Sequence, residues 1–428
     1  MGGDGRGLWW VVLSLVCLGA GGAWATPPLT LREALAQADA PVPELEQAEA
    51  RLQQARAREA AAAASLGLQV KGRARARWIE PPAVFDYLGR EDHALELRLS
   101  RPLWDGGRTG AARQAAVRES EAAHWAWMGA RQGRRYQVLQ RFFAVVLADL
   151  EYAYRNEAMS IAYVRFDRIR DRQKLGQRSE VEVLAAESVF QQSRRAVYRA
   201  QAEQRASRAR LALALNRPGD LPAQLEIPLP ASFMDWEAGE WATWEAAVIE
   251  GSPRIARARA RLEAERARLL RAGLLRRPRV EAELRSGAYS RQSPANGPWA
   301  AGLGLSWPLY HGGAVAAERA EARARLREAE ARWEAVKRDE VQAALEDWLA
   351  LESLRVDWQA ARTDLDYRQW RLDEARLRYE QEVESDLGDA LVELSRAQLE
   401  LHRVAYGYAL TRARLEARAG RLLDVEWP

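Results

Sequence analysis

The chain has 428 residues, with 64 Lys and Arg against 60 Asp and Glu and a formal net charge of +4. Charge this evenly balanced gives no footing for nucleic acid, and a hydrophobic content of 48% is far above that of a disordered chain. The single cysteine rules out a disulfide framework or a Cys-based metal site.

Residues 1–25 read as a secretory signal. Arg6 supplies a weak basic start, Leu8 to Leu18 a short apolar core, and Ala23-Trp24-Ala25 a small-x-small cleavage pattern. Cys17 lies inside this segment. Ser14-Leu15-Val16 before it lacks the small residue that usually precedes a lipid-attachment cysteine, so a lipid anchor is the weaker alternative. No run of about 18 apolar residues follows, so the sequence holds no spanning helix. Such a chain can cross a membrane only as strands.

The remainder divides into a first repeat over 26–216, a linker over 217–245 and a second repeat over 246–428. Each repeat opens with a helical run, "PELEQAEARLQQARAR" at 43–58 and "PRIARARARLEAERAR" at 253–268. In residues 66–78, Leu66, Leu68, Val70, Ala74 and Trp78 alternate with Gln69, Lys71, Arg73, Arg75 and Arg77. Period two means a strand with one apolar and one charged face. Residues 93–102 repeat the pattern, with Leu95, Leu97 and Leu99 against Glu96 and Arg98. The second repeat does so over 278–289 and 300–308, where Arg279 and Arg285 sit on the charged side. Four strands of about ten residues match the length that spans a bilayer.

Each strand pair ends in an abrupt junction, "SRPLWDGG" at 100–107 and "SWPLYHGG" at 306–313. Pro102 and Pro308 remove a backbone donor where strand pairing is expected to stop, Trp104 and Tyr310 suit a membrane interface, and Gly106, Gly107, Gly312 and Gly313 permit a bend. These residues are expected to form the inner rim of a barrel. Other aromatics, among them Trp78, Phe85, Tyr87, Tyr289, Trp299 and Trp307, sit at strand ends or in loops, as interfacial girdles do.

Proline-free helical runs follow, from about Thr109 to Lys174 and from Val315 to about Tyr379. At roughly 1.5 Å per residue each is a rod of about 100 Å, a length found in packed coiled bundles. Ser100 and Ser306, Trp127 and Trp333, Ala144 and Ala350, and Ser179 and Ser385 are each 206 residues apart. A constant offset marks a duplication without insertions over this stretch. Prolines in "RPGDLPAQLEIPLPASFMDWEAGEWATWE" make 217–245 a small side structure.

Four spanning strands cannot close a barrel, and an open edge in lipid leaves backbone groups unpaired at several kcal/mol each. Strands must therefore be pooled between copies, and three copies give an even-numbered barrel of 12 strands. The charged strand faces, with Lys71, Arg73, Arg75, Arg77, Arg98, Arg279 and Arg285, would then line a cationic lumen. Helical pairs from each copy would extend the barrel as a hollow cylinder.

The signal segment, "LTLREALAQADA" at 29–40, the pair "SRPLWDGGRTGAARQAA" and "SWPLYHGGAVAAERAEA", and the turns "KLGQRSEVEVLAAES" and "YEQEVESDLGDALVELS" together resemble the TolC-like outer membrane efflux proteins. The resemblance spans essentially the whole mature chain. It implies a mixed α and β membrane protein: a homotrimer with a 12-stranded barrel in the outer membrane of a Gram-negative bacterium and a long periplasmic helical barrel. It also implies export of solutes or proteins, in efflux or type I secretion, through a periplasmic adaptor and an inner-membrane pump. No catalysis, cofactor or metal is implied.

In that family the helical turns far from the barrel form a periplasmic entrance ringed by acidic residues. Carried onto this sequence, the resemblance makes Asp389, Asp386, Glu393, Glu382, Glu384 and Glu180 candidate gate carboxylates, Asp389 first among them. Arg172, Arg178, Arg376 and Arg378 are candidate links that hold the entrance shut. The family's glycine at the start of each turn is matched by Gly176, but the second turn has Glu382 there and Gly388 later.

An enzyme is the least favoured class, since His93, His124, His311 and His402 stand apart and no nucleophile, phosphate-loop or metalloprotease motif occurs. A periplasmic adaptor or a coiled-coil scaffold is the alternative. Both share the helical hairpins, and neither accounts for two alternating strand pairs.

Overall fold

A computed structural model of the chain describes residues 28–80, 90–219, 224–291, 297–381 and 386–428. The expected signal segment with Cys17, the loop aromatics Phe85 and Tyr87, and the gate candidates Glu382 and Glu384 lie outside the described residues.

The chain runs α1 (Leu31–Ala36), α2 (Pro43–Ala64), β1 (Gln69–Arg75), β2 (Ala94–Trp104), α3 (Arg108–Lys174) and α4 (Glu180–Ala214). It continues as α5 (Trp241–Gly251), α6 (Pro253–Gly273), β3 (Arg279–Tyr289), β4 (Trp299–Ser306), α7 (Ala314–Glu380) and α8 (Leu387–Arg418). Local sequence explains the boundaries. Pro43 and Pro253 take the first turns of α2 and α6, where a missing N–H costs nothing. Thr30 with Glu33 and Ser179 with Glu182 form reciprocal capping boxes that start α1 and α4. α3 and α7 have 67 residues each, unbroken by proline.

The four strands form one antiparallel sheet in the order β1-β2-β3-β4, which leaves β1 and β4 as open edges. β1 is shorter than the alternation implied: pairing with β2 covers Gln69 to Arg75, and beyond it, among the described residues, only Trp78 bridges Glu91. β2 runs past Pro102 to Trp104, opposite Val280, through an irregularity between those two residues. Pairing therefore does not stop at Pro102. The proline is tolerated because β1 begins at Gln69, opposite Ser100, and β2 has only β3 beside it beyond that point.

The helices pack as rows. Toward the sheet, α3 contacts α2 and α6, and α6 contacts α7; toward the far turns, α3 lies between α4 and α8, and α8 contacts α7. The core sits midway. Val138, Leu139, Phe142, Phe143, Val145 and Val146 of α3 are buried with Leu211, Ala405, Tyr406, Ala409 and Trp427. Phe143 stacks flat on Tyr406 with ring centroids 4.3 Å apart, and Phe233 of the linker meets both edge-on. The linker is thus strapped to the middle of the helices. The Tyr406 and Tyr408 hydroxyls donate to the carbonyls of Pro228 and Trp236 at 3.0 and 2.7 Å, and burial pushes both phenols' pKa values up.

A buried ionic cluster ties α6, α7 and α8 at the same level. Glu340 and Asp347 of α7 keep only 2% and 8% of their side-chain surface exposed. Arg254 and Arg418 bind Glu340, while Arg414 and Arg418 reach the two Asp347 oxygens at 2.8 and 2.9 Å. Two acids met by three arginines satisfy the condition under which charge survives burial.

Candidate functional site

Directly paired residues of an antiparallel sheet share a face, so the register sorts the strand side chains. Lys71, Arg98 and Arg285 fall in one row, Arg73 and Glu96 in the next, and Gln69, Ser100 and Glu283 in another. Arg75 and Arg279 are on the same face. Arg77 lies beyond the end of β1 and donates to Asp92 through Nε at 2.7 Å. The opposite face carries Val70, Leu95, Leu97, Leu99, Leu284, Leu303 and Leu305, and most of these are exposed in the single chain.

The charged face is not uniformly positive, because Arg98 pairs with Glu283 at 3.0 Å and the Tyr289 hydroxyl donates to Glu96 at 3.3 Å. Arg101, opposite Ala282, lies on the apolar face near the rim, a position at which its long stem can carry the charge toward water. Sequence reasoning passed over Arg101; its odd position in the alternation was the available signal.

The two rim junctions share a backbone and differ in their contacts. Gly106 and Gly107 have φ of +70° and +89°, and Gly312 and Gly313 +54° and +85°, a region open to glycine at little cost. At the first junction the Asp105 carboxylate accepts the N–H groups of Gly107 at 2.9 Å and Thr109 at 2.5 Å. Partial burial raises the Asp105 pKa, but the bonds from Thr109 and Gly107 and the nearby Arg108 outweigh it and hold the pKa below the usual carboxylate range. Arg277, from the other repeat, packs so tightly over Gly106 that a Cβ there would meet its Cβ at 2.4 Å. At the second junction His311 replaces Asp105 and offers only its carbonyl, to Ala314 N at 3.0 Å, and Gly312 faces open space. Pro308 and Tyr310 follow the end of β4, with Tyr310 85% exposed.

At the other end of the rods, α3 closes through Gly176, whose φ is +73°, with Gln177 N donating to Arg172 O at 2.9 Å. Glu180 opens α4 and is exposed. Its neighbour Glu182 has its pKa held down to about 2, first by the Ser179 N–H, then by Arg178 and the Ser179 hydroxyl.

Asp386 stands at the N-cap of α8 and accepts Ala390 N through its carbonyl. Asp389 accepts Arg165 Nη2 on both oxygens, at 2.9 and 2.7 Å, and Glu393 lies 3.4 Å from Arg368. Within one chain, the arginines that reach Asp389 and Glu393 are therefore Arg165 and Arg368. Arg178, Arg376 and Arg378 bind Glu182, Asp373 and Glu374 within their own helical turns. The sequence offered no register between helices, so nearness to the turn could not single out Arg165 and Arg368 for these contacts within one chain. Gly388 lies in the first turn of α8, where an added Cβ would come 2.8 Å from Ile161 of α3, so this glycine permits close approach of the two helices.

No described helix is long and apolar enough to cross a membrane, which says nothing of strands. The sequence pattern of the outer membrane efflux protein family matches residues 34–217 and 246–421. Among solved structures, the fold resembles the CmeC outer membrane channel of Campylobacter jejuni with a TM-score of 0.76 and 16% identity, covering 92% of this chain and 86% of that one. VceC, an outer membrane protein of Vibrio cholerae, gives 0.74 and 18%, covering 91% and 96%. The MtrE outer membrane channel of Neisseria gonorrhoeae, solved in an open state, gives 0.71 and 18%, covering 92% and 89%. No curated protein matches at the level of sequence. Both repeats fit the family pattern, the sheet and helix rows fit the fold of these channels, and the chain belongs to the outer membrane efflux protein family.

Proposed function

We propose that three copies of this chain pool their strands into a 12-stranded barrel in the outer membrane and their helices into a periplasmic tunnel, which carries cargo outward from an inner-membrane pump docked through a periplasmic adaptor. The observation that carries this reading is an incompleteness. In each repeat a two-faced strand pair leads directly into a long helical hairpin, and among the described residues neither the sheet nor the helix row closes within one chain. A periplasmic adaptor or a coiled-coil scaffold would have no use for strands with an exposed leucine face. The chain performs no catalytic step in this scheme.

Within the channel, Lys71, Arg73, Arg75, Arg98, Arg279 and Arg285 face the lumen. Asp389, Asp386 and Glu393 ring the periplasmic entrance, each repeated by the symmetry, where carboxylates in a narrow passage favour cations. Pairing of Asp389 with Arg165 and of Glu393 with Arg368 supports a closed entrance held by charge.

The test is fractionation followed by conductance. The protein should sediment with outer membranes, need detergent for release, and open ion-conducting channels in planar bilayers; release by osmotic shock would overturn the reading. Reversing Asp389, Asp386 and Glu393 together should change conductance and abolish block by multivalent cations. An unchanged channel would remove these residues from the gate.

A further inference from the structure

In the first repeat Arg131 lies over the Trp127 ring, 5.2 Å from its centroid, and donates to Asp39 through Nε and Nη2 at 3.1 and 3.0 Å. The second repeat keeps the cation and the indole 206 residues further on, with Lys337 5.8 Å from the centroid of Trp333. It does not keep the carboxylate. At the offset of 210 that relates Pro43 to Pro253, Asp39 becomes Ile249, in the last turn of α5. Among the described residues no carboxylate pairs with Lys337.

Lys337, Trp333 and Ile249 line a cavity of about 690 Å³ formed by α3, α5, α6 and α7, a size that suits a small molecule. Its floor is apolar, with Ile255 and Ala260 of α6 only 4% and 3% exposed. Trp125 of α3 lines it on one side of α6 and Trp333 of α7 on the other. The end of α5 is fixed, because Gly251 lies so close to the Ala419 carbonyl that a Cβ has no room there. The cavity is therefore pre-formed.

Ion pairing leaves its lining with unanswered positive charge. Glu121 and Glu263 are held by Arg118 and Arg266 at 2.8 Å each. Arg259, like Lys337, has no carboxylate partner among the described residues. Glu250 is the one lining acid without a cation partner among them, and it is exposed.

We propose that this cavity binds a small aromatic carboxylate. Its anionic group meets Lys337 and Arg259, as Asp39 meets Arg131 in the first repeat, and its ring lies over Ile255 between the two indoles. Charge-assisted hydrogen bonds orient the ligand, and ring contacts with Trp125 and Trp333 add affinity. The site is built within one chain, so it stands whether or not the copies assemble as a channel.

2-Naphthoate is the probe, titrated by calorimetry into the full-length protein in detergent, with 2-naphthylmethanol as the uncharged counterpart. Naphthoate should bind once per chain and the alcohol about ten-fold more weakly or worse. Equal affinities, or heats no larger than those of protein-free micelles, overturn the proposal. Ile249→Asp restores the carboxylate of the first repeat and should weaken naphthoate binding by about ten-fold, as should Lys337→Gln. Ile249→Asn, of the same size but uncharged, should keep most of the affinity, and Glu250→Gln should raise it. Naphthoate should also raise the unfolding temperature of the wild type and leave that of Lys337→Gln nearly unmoved, a readout that shows at the same time that the variant is folded. If Ile249→Asp and Lys337→Gln both bind naphthoate as the wild type does, the anion sits elsewhere and the assignment is wrong.

Discussion

Arg165 and Asp389 lie 224 residues apart in sequence, yet one guanidinium nitrogen of the arginine sits within 3 Å of both carboxylate oxygens. They join the first helical hairpin to the second close to the turns. Both side chains are about half exposed, so the pair falls in the range of surface ion pairs, about 0.2–1 kcal/mol.

Asp389→Ala should therefore make the channel open more readily, by up to about five-fold per pair, with the difference shrinking as salt screens the charges. Single-channel recordings of Asp389→Ala, Arg165→Ala and the double variant check this. The double variant should match the singles; additive effects would mean that the two residues act separately.

Gly388→Ala should act on the same seam by shape. The new methyl would come 2.8 Å from Ile161, so α3 and α8 must part slightly. A destabilisation of about 1–3 kcal/mol is expected from such overpacking. Ile161→Ala should relieve it. Thermal unfolding of the single and double variants gives the comparison.

The Asp105 carboxylate contributes as a cap on α3, and Asp105→Ala should cost about 1 kcal/mol at neutral pH, somewhat less where solvent competes. Its pKa is lowered in the folded chain, so this contribution is full above the unfolded carboxylate value of about 3.9 and is lost as pH falls through the folded value. Unfolding temperatures of wild type and Asp105→Ala should differ at pH 7 and converge in acid. Conversely, His311→Asp should supply the missing cap of α7 and stabilise the protein.

Asp347 lies between Arg414 and Arg418, and removing it leaves part-buried Arg414 without a carboxylate and Arg418 with Glu340 alone. Asp347→Ala should cost about 3 kcal/mol, at the low end for a broken buried pair because both arginines keep some contact with water. Asp347→Asn, which retains the volume and accepts one hydrogen bond, should recover part of the loss in a thermal melt.

Much of this architecture is legible in the residues. The alternation from Val70 to Arg75, the absence of proline between Thr109 and Lys174, and the constant offset between repeats fix the element types because each reflects a local period. What sequence did not reveal depends on contacts between elements. Pro102 marked the weakening of pairing on one side of β2, while β3 continued on the other to Trp104. Arg178 and Arg378 stood out as links by nearness alone, and within one chain a carboxylate four residues away in sequence pairs with each of them. Arg165 carried no local sign of its role, because its partner comes from the far repeat. Gly388, which looked like a displaced turn glycine, is explained by a helix crossing that no period announces.

The sheet has two unlike margins. β1 carries Lys71, Arg73 and Arg75, whereas β4 shows Ala300, Gly302 and Gly304 on the same face. Each margin is a row of peptide groups that lipid cannot solvate. A lone chain or a pair would carry this burden into the bilayer, and only a complete ring is free of it. On the proposed ring, insertion is expected to be all-or-none in copy number, with assembly before or during entry into the membrane.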